Sequence, residues 1–216
     1  GLDNDLPSWN HLFANVARER NWGRYRFGLA RDSRFGESDL TFSVGGDMRL
    51  GRDWSAGVDV AVVDDPWFQP DLGVRAFVYR SLQGGWVANL LLQRREYATT
   101  AVNSIVPSVE KYIGDYRFAY ALGYSRLQGG GGSFNHTLTG NWYYGDRSSI
   151  GLNFSTGEES EAIGAGQVLQ TDVVGIGVNG QQALNDRTDL KWWLGSHEQG
   201  DFYRRSFLGM AIAFRF

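Results

Sequence analysis

Apolar and polar residues alternate along most of this chain with a period of two, which is the pattern of a β-strand with one apolar face. The last segment shows it clearly, because Leu208, Met210, Ile212, Phe214 and Phe216 share one face. Similar alternation predicts twelve strands, at residues 22–32, 37–50, 54–63, 72–82, 85–96, 103–113, 116–126, 133–144, 148–156, 167–182, 188–198 and 203–216. The segment 103–113 is the least regular, because its proline cannot donate a ladder hydrogen bond.

Residues 1–21 have a different pattern. Trp9, Leu12, Phe13 and Val16 recur at the spacing of one helical face, and Ser8 suits the N-cap position. We therefore expect a short N-terminal amphipathic helix within residues 1–21, which plugs a lumen or lies on a membrane surface, followed by a barrel domain over 22–216. An extra strand over residues 9–18 is the alternative interpretation.

The links between the predicted strands alternate in length. Every second link is a tight turn rich in Gly, Asn and Asp, at 51–53, 83–85, 114–115, 145–147 and 185–187. The others are longer, at 32–37, 64–71, 97–102, 128–133, 156–166 and 199–202. Short turns at one end and longer loops at the other are typical of bacterial outer-membrane barrels, whose short turns are periplasmic. A soluble β-sandwich, the competing all-β fold, gives no reason for this segregation.

The predicted fold class is therefore all-β, a single antiparallel up-and-down transmembrane β-barrel of about twelve strands. An even strand number places both termini in the periplasm. The last strand should then pair with the strand at 22–32 and close the cylinder.

Aromatic residues concentrate near the predicted strand ends, many of them at the short-turn end. Because amphipathic rings prefer the level of the lipid headgroups, we expect an aromatic girdle there. Its predicted members are Trp54, Trp86, Tyr116, Trp142, Tyr144, Trp192, Phe214 and Phe216. The predicted partners are accordingly outer-membrane lipid, either phospholipid or lipopolysaccharide, and the barrel assembly machinery.

Composition agrees with this prediction but does not demand it. The chain has 216 residues, 29 of them Gly, no Cys and a formal charge of −3, which gives no argument for a nucleic-acid partner. A mean hydropathy of −0.34 does not exclude a barrel, because lipid-facing and lumen-facing residues average out. No run of 18 apolar residues predicts a transmembrane helix.

Three segments, at residues 106–114, 140–159 and 195–216, resemble the YaiO family of outer-membrane β-barrel proteins. The similarity lies in turn and strand patterns that cover most of the predicted barrel. It implies a barrel that occurs alone or after helical tetratricopeptide repeats, as in export systems for exopolysaccharides of the cellulose or poly-N-acetylglucosamine type. The resemblance supplies no catalytic residues, and it supports a transport role only by analogy.

The residues that alternate with the apolar face should line the lumen. The charged members of this set are Arg24, Arg26, Asp39, Asp47, Arg49, Asp59, Arg75, Arg95, Glu110, Arg117, Lys191 and Arg215. Eight of them are basic and four acidic, which favours a narrow pore for small anionic or polyhydroxylated solutes, such as sugar acids, or for a glycan chain. The alternative is that these charges pair across strands and brace a barrel without a through-path.

Two other function classes compete with the pore. A lipid-modifying enzyme would need a nucleophile motif near one of the three histidines, His11, His136 and His197, and none is recognisable. We therefore predict no enzymatic activity, no catalytic residues, no cofactor and no metal site. A non-conducting receptor or assembly protein would instead bind partners through its longer loops, with Trp67 and Phe68 in the loop at 64–71 as the best candidate surface.

Overall fold

A computed structural model describes residues 9–34, 36–164 and 167–216, without the side chains of residues 161–164, 167 and 169. These described residues form thirteen strands: β1 (Asn10–Arg20), β2 (Gly23–Arg34), β3 (Glu37–Arg49), β4 (Trp54–Val63), β5 (Leu72–Leu82), β6 (Trp86–Tyr97), β7 (Thr100–Ile113), β8 (Tyr116–Leu127), β9 (Gly132–Gly145), β10 (Ser148–Gly164), β11 (Gln167–Asn185), β12 (Thr188–Gln199) and β13 (Tyr203–Phe214). A single 3₁₀ turn, Gln83–Gly85, joins β5 to β6. Over this described part of the chain, no helix is long and apolar enough to cross a bilayer.

All thirteen strands belong to one antiparallel sheet in which each strand pairs with its neighbours in sequence. The sheet curls into a barrel, because side chains at its start reach those at its end. The ring of Phe13 on β1 lies 6.2 Å from that of Trp193 on β12, and the ring of Trp9 lies 5.3 Å from that of Tyr203. Contacts between strands so far apart in the sheet form on the concave side, which we call the inner face.

The predicted N-terminal helix is wrong, and its segment adds a strand to the about twelve that were expected. Residues 10–20 are not helical but form β1, which pairs along its whole length with β2, as the alternative interpretation had it. The apolar residues mimic helical spacing because this strand has large apolar side chains on both faces. Leu12 and Val16 point outward and are 75% and 56% exposed, while Phe13 packs inward on Trp193.

The additional strand also changes how the barrel ends meet. The predicted pairing of the last strand with the strand at 22–32 is wrong, because β2 already pairs with β1 and with β3. With thirteen antiparallel strands, β1 and β13 run in the same direction, and no ladder joins them within the described residues. Asn10 and Phe214 therefore lie at opposite ends of the barrel. Residues 1–8 are outside the described part, so the side on which the N-terminus itself lies stays a prediction.

The outer face carries the apolar side chains that the alternation predicted. Phe42 and Leu152 in the middle of the sheet are 51% and 54% exposed, whereas Leu12 on β1 and Leu208 on β13 reach 75% and 71%. The two edge strands expose more because each has a neighbour on only one side. This continuous apolar surface is the face that a hydrocarbon phase would cover.

The twelve predicted strands are confirmed as β2 to β13, with two local differences. Residues 156–164, predicted as loop, continue β10, and their backbone pairs with β11 despite their polar composition. Pro107 is tolerated because it faces Leu90 in the β6–β7 ladder, while the β7–β8 ladder is interrupted between Ile105 and Ser108.

The predicted tight turns are also confirmed. Gly51, Gly84 and Gly114 adopt φ values of 106°, 70° and 57°, which side chains disfavour, and each sits between consecutive strands. The end of the barrel that carries these turns is called the short-turn end here. The opposite links are shorter than predicted, apart from residues 64–71, because the strands extend into them.

Candidate channel interior

Cross-strand registers align inner-face residues into rows that run around the barrel. One row consists of Ala17, Arg26, Gly45, Asp59, Arg75, Gln93, Ser104, Ser125 and Ser133. The next row, farther from the short-turn end, begins with Asn15, Gly28, Ser43, Ala61, Gly73 and Arg95. All twelve charged residues predicted for the lumen lie on this face, but they differ in whether they have a partner.

The first charge cluster depends on a glycine. Arg26 on β2 donates to Asp59 on β4 at 2.6 Å, although Gly45 of β3 lies between them in the row. A Cβ at position 45 would collide with the Asp59 carboxylate, so the missing side chain is what allows the pair to form. Arg26 also donates to Asp47, to which Arg24 donates at 3.2 Å. Two arginines thus neutralise two aspartates.

Two more clusters lie near the short-turn end. Glu110 accepts from Arg117 Nε at 2.7 Å, and Arg117 also donates to the Asn141 side chain at 2.9 Å. Asp189, only 2% exposed, accepts from Arg215 at 2.5 Å. Asp189 was not singled out from the sequence, although its inward parity with Lys191 was available as a signal.

Asp39 lies on the predicted face but is buried, with 1% exposure. Its carboxylate accepts three backbone N–H groups of the loop at 64–71, from Trp67, Phe68 and Gln69, at 2.8, 3.0 and 2.7 Å. The loop is thereby tied to the inner wall of β3, with Phe68 buried to 4% exposure and Trp67 still 50% exposed. Asp39 is therefore an anchor for a loop that narrows this end of the barrel.

The β10–β11 hairpin covers part of the same mouth. Val168 near the start of β11 packs against Tyr97 and Val102, and Leu127 joins this small apolar cluster. The Gln170 side chain donates to the carbonyl of Gly131 at 3.0 Å. Two elements, the anchored loop and this hairpin, thus restrict the opening opposite the short-turn end.

Four of the predicted basic residues have no acidic partner. Arg49, Arg75, Arg95 and Lys191 form no ion pair with any residue in the described ranges 9–34, 36–164 and 167–216. The Nε of Arg95 is moreover buried without a hydrogen-bond acceptor. These positions therefore place basic side chains on the inner face with no carboxylate within 4.0 Å in the described part of the chain.

Arg75 and Arg95 line a cavity of about 470 Å³ against the inner wall of β1 to β6. Small residues of the row next to Arg75 border the cavity, including Ser43, Ala61 and Gly73. Its polar lining was missed from the sequence, where uncharged inner-face residues could not be ranked. These residues are Asn15, Ser43, Gln69 and Gln93.

The eight predicted girdle aromatics lie toward the short-turn end, and those within strands lie on the outer face. Seven are between 43% and 104% exposed, and Trp192 is half-buried. Two of them make cation–π contacts with residues of neighbouring strands. Arg80 lies 5.0 Å from the Trp54 ring, and Lys111 Nζ lies 4.8 Å from the Trp86 ring. Their contact with lipid headgroups stays a prediction.

The histidines make ordinary polar contacts. His11 pairs with Asp32 at 2.8 Å, and His136 hydrogen-bonds the Tyr120 hydroxyl at 2.8 Å on the outer face. His197 lies on the inner face and contacts the side-chain oxygen of Gln199 at 3.0 Å. None of these contacts supplies a serine nucleophile with a base.

Comparison with known proteins agrees with this architecture. The family model described as "YaiO membrane beta barrel domain" matches residues 1–162. Among solved structures, the chain is similar to an anion-selective porin from Comamonas acidovorans, with a TM-score of 0.54 and 10% identity over 95% of this chain and 89% of the porin. It is also similar to a bacterial polysaccharide outer membrane secretin, with a TM-score of 0.56 and 12% identity over 96% of this chain and 79% of that one. At these identities the structural likeness concerns the fold alone. A comparison with curated protein sequences finds no match.

Proposed function

Because the chain belongs to the YaiO family of membrane β-barrels and is an outer-membrane barrel of that type, we propose that it forms a narrow channel for anionic or polyhydroxylated solutes, such as sugar acids or a glycan chain. The observation that carries the proposal is the unequal pairing of inner-face charges. Asp47, Asp59, Glu110 and Asp189 each contact an arginine, whereas Arg75 and Arg95 contact no carboxylate of the described residues.

The local imbalance is clearest on β5 and β6. The inner faces of these two strands carry Arg75 and Arg95 and no acidic residue. Asp59 faces Arg75 in the β4–β5 register but is engaged by Arg26. In a low-dielectric tube, such unpaired charge attracts anions and repels cations. The neighbours named as an anion-selective porin and a polysaccharide secretin are compatible with this class of cargo, although they share only the fold.

Conductance in a planar lipid bilayer tests the proposal. We expect discrete ohmic channels with an anion preference, and a barrel that inserts but stays silent would refute the channel. Replacing both Arg75 and Arg95 with Glu should shift the reversal potential toward cation selectivity. Arg117→Glu is the contrasting variant, because it also breaks the ion pair between Arg117 and Glu110. Its effect on selectivity therefore combines the reversed charge with the loss of that pair.

A second candidate is a non-conducting receptor or assembly protein. The ion-pair clusters and the loop tied down by Asp39 favour it, because they brace the wall and occupy one mouth. Silent bilayers, together with normal assembly and loop-dependent binding of a partner, would support this candidate over the channel.

Our proposal includes no enzymatic activity and no cofactor. His197 is held by Gln199 and has no serine hydroxyl within hydrogen-bond distance among the residues described. Release of fatty acid from phospholipid vesicles by the purified barrel, abolished by His197→Ala, would contradict this part of the proposal. The partners that we propose remain outer-membrane lipid, the barrel assembly machinery and a solute or glycan. We also propose that the short-turn end faces the periplasm.

A further inference from the structure

The cavity beside Arg75 and Arg95 has the features of a built binding site. It measures about 470 Å³ and lies in the range of small-molecule pockets. Its wall carries Arg75, Arg95 and the mutually paired Arg26 and Asp59. It also carries uncharged hydrogen-bonding groups, namely the side chains of Asn15, Gln69 and Gln93. A small number of polar groups that converge on a concave wall can fix the orientation of a small ligand.

The two arginines are placed to act together. In the β5–β6 ladder Arg75 pairs with Gln93 and Gly73 pairs with Arg95, so the two arginines are diagonal neighbours on one face. Gly73 leaves the space beside Arg95 free of a side chain. Two adjacent guanidinium groups without a carboxylate repel each other, and a bound anion would relieve that repulsion.

The hydrogen-bond partners of the neighbouring Asp59 and of Arg95 favour an anionic ligand. Asp59 is the acid next to Arg75 in the row, and its Oδ1 accepts from Arg26 at 2.6 Å. The Nε of Arg95 is buried and lacks an acceptor among the described residues. A buried donor without a partner is unfavourable, and an incoming oxyanion would supply the missing acceptor.

We infer that this cavity is a subsite for sugar acids. The carboxylate binds to Arg75 and Arg95, whose planar forks match two carboxylate oxygens, and the ring hydroxyls bind to the amides of Gln69 and Gln93. The inference rests on the proposed function, because it assigns a place where the transported solute binds. It also goes further, because it predicts preference for a hydroxylated carboxylate over both a neutral sugar and a simple anion.

Calorimetric titration of the full barrel in detergent micelles tests the subsite. The probes are galacturonate, neutral galactose and inorganic phosphate. We expect galacturonate to bind measurably and both other probes to bind at least tenfold more weakly. Arg75→Gln and Arg95→Gln should each weaken galacturonate binding at least tenfold, and Gln93→Leu should weaken it while leaving phosphate unchanged.

Arg94→Gln is the matched control. Arg94 precedes Arg95 on the same strand but points outward, where it contacts Glu96 at 2.7 Å and Asn103 at 3.0 Å. This variant should bind galacturonate like the unmodified protein. The inference would be overturned if the unmodified barrel did not bind galacturonate. It would also be overturned if the Arg75 and Arg95 variants, with folding verified by circular dichroism, bound galacturonate as tightly as the unmodified protein. Phosphate binding as tight as galacturonate would also overturn it, because the site would then be a simple anion patch.

Binding and conductance separate the two proposals. A barrel that is silent in bilayers but binds galacturonate through Arg75 and Arg95 refutes the channel and supports the subsite. A conducting barrel whose galacturonate binding is absent supports the channel and refutes the subsite.

Discussion

Replacing Asp39 with alanine should release the loop of residues 64–71 from the barrel wall. The buried Asp39 carboxylate accepts three backbone hydrogen bonds, from Trp67, Phe68 and Gln69. Alanine offers no acceptor, so three amide groups lose their partner at once. The Phe68 side chain, 4% exposed, is held in place by the same contacts.

The size of the effect follows from the number and type of these bonds. Hydrogen bonds to a charged group contribute about 1.5–3 kcal/mol each, so three of them represent a gross loss of roughly 4.5–9 kcal/mol. Part of this is offset because the variant no longer buries a carboxylate, at a cost of several kcal/mol. We expect a net loss of about 3–5 kcal/mol in the free energy of opening the loop. At about 1.4 kcal/mol per factor of ten, the loop should open roughly a hundredfold to a few thousandfold more often.

Hydrogen exchange followed by mass spectrometry measures this opening directly, because amide exchange reports local unfolding. Peptides that cover residues 64–71 should exchange faster in Asp39→Ala by the stated factor, while those from β8 and β9 should not change. Asp53→Ala is the control, since Asp53 lies exposed in a turn where only its backbone carbonyl accepts a bond, from Ser81. Unchanged protection of the loop in Asp39→Ala would show that the carboxylate does not anchor it.

Three further changes probe the outer face, the charge clusters and the irregular strand. Met210→Glu puts a charge on the outer face of β13, at a cost of up to about 2 kcal/mol, and should reduce the amount of heat-modifiable barrel in membrane extracts. The control Ala211→Glu, on the inner face, should assemble normally. Equal yields of the two variants would contradict the assigned faces. Asp189→Ala removes the partner of half-exposed Arg215 and should lower the unfolding free energy in urea by about 1–3 kcal/mol; an unchanged midpoint would count against this cluster. Pro107→Ala restores an amide proton at the gap in the β7–β8 ladder and should raise stability by about 0.5–1.5 kcal/mol, whereas a loss would mean that the gap is not caused by proline.

Alternation predicted the strands well because both faces of a barrel strand have a fixed environment, apolar outside and polar inside. It failed at β1, where Phe13 lies on an inner face that also carries His11, Asn15 and Glu19. Phe13 and Trp9 lie on that side because they pack on Trp193 and Tyr203, which are 180 and 194 residues away in sequence. A local pattern cannot contain such a contact, and the resulting spacing was indistinguishable from that of a helix.

The second failure, at residues 156–164, has a different cause. The segment lacks the alternation of the other strands, and the β10–β11 hairpin continues past Gly157, where the β9–β10 ladder ends. Its pairing depends on backbone hydrogen bonds to β11, which any composition can make. Polarity alone therefore predicted a loop where the structure has a strand.

For the interior, parity identified the charged face but could not determine which charges remain unpaired. Pairing depends on the registers of three or more strands and on the residues between them. Arg26 reaches Asp59 only because Gly45 separates them, and that engagement leaves Arg75 without an acid. One glycine on β3 thus determines the charge available on β5. The chemistry lies in this arrangement of glycine, paired acid and free arginine along a single row of the inner wall.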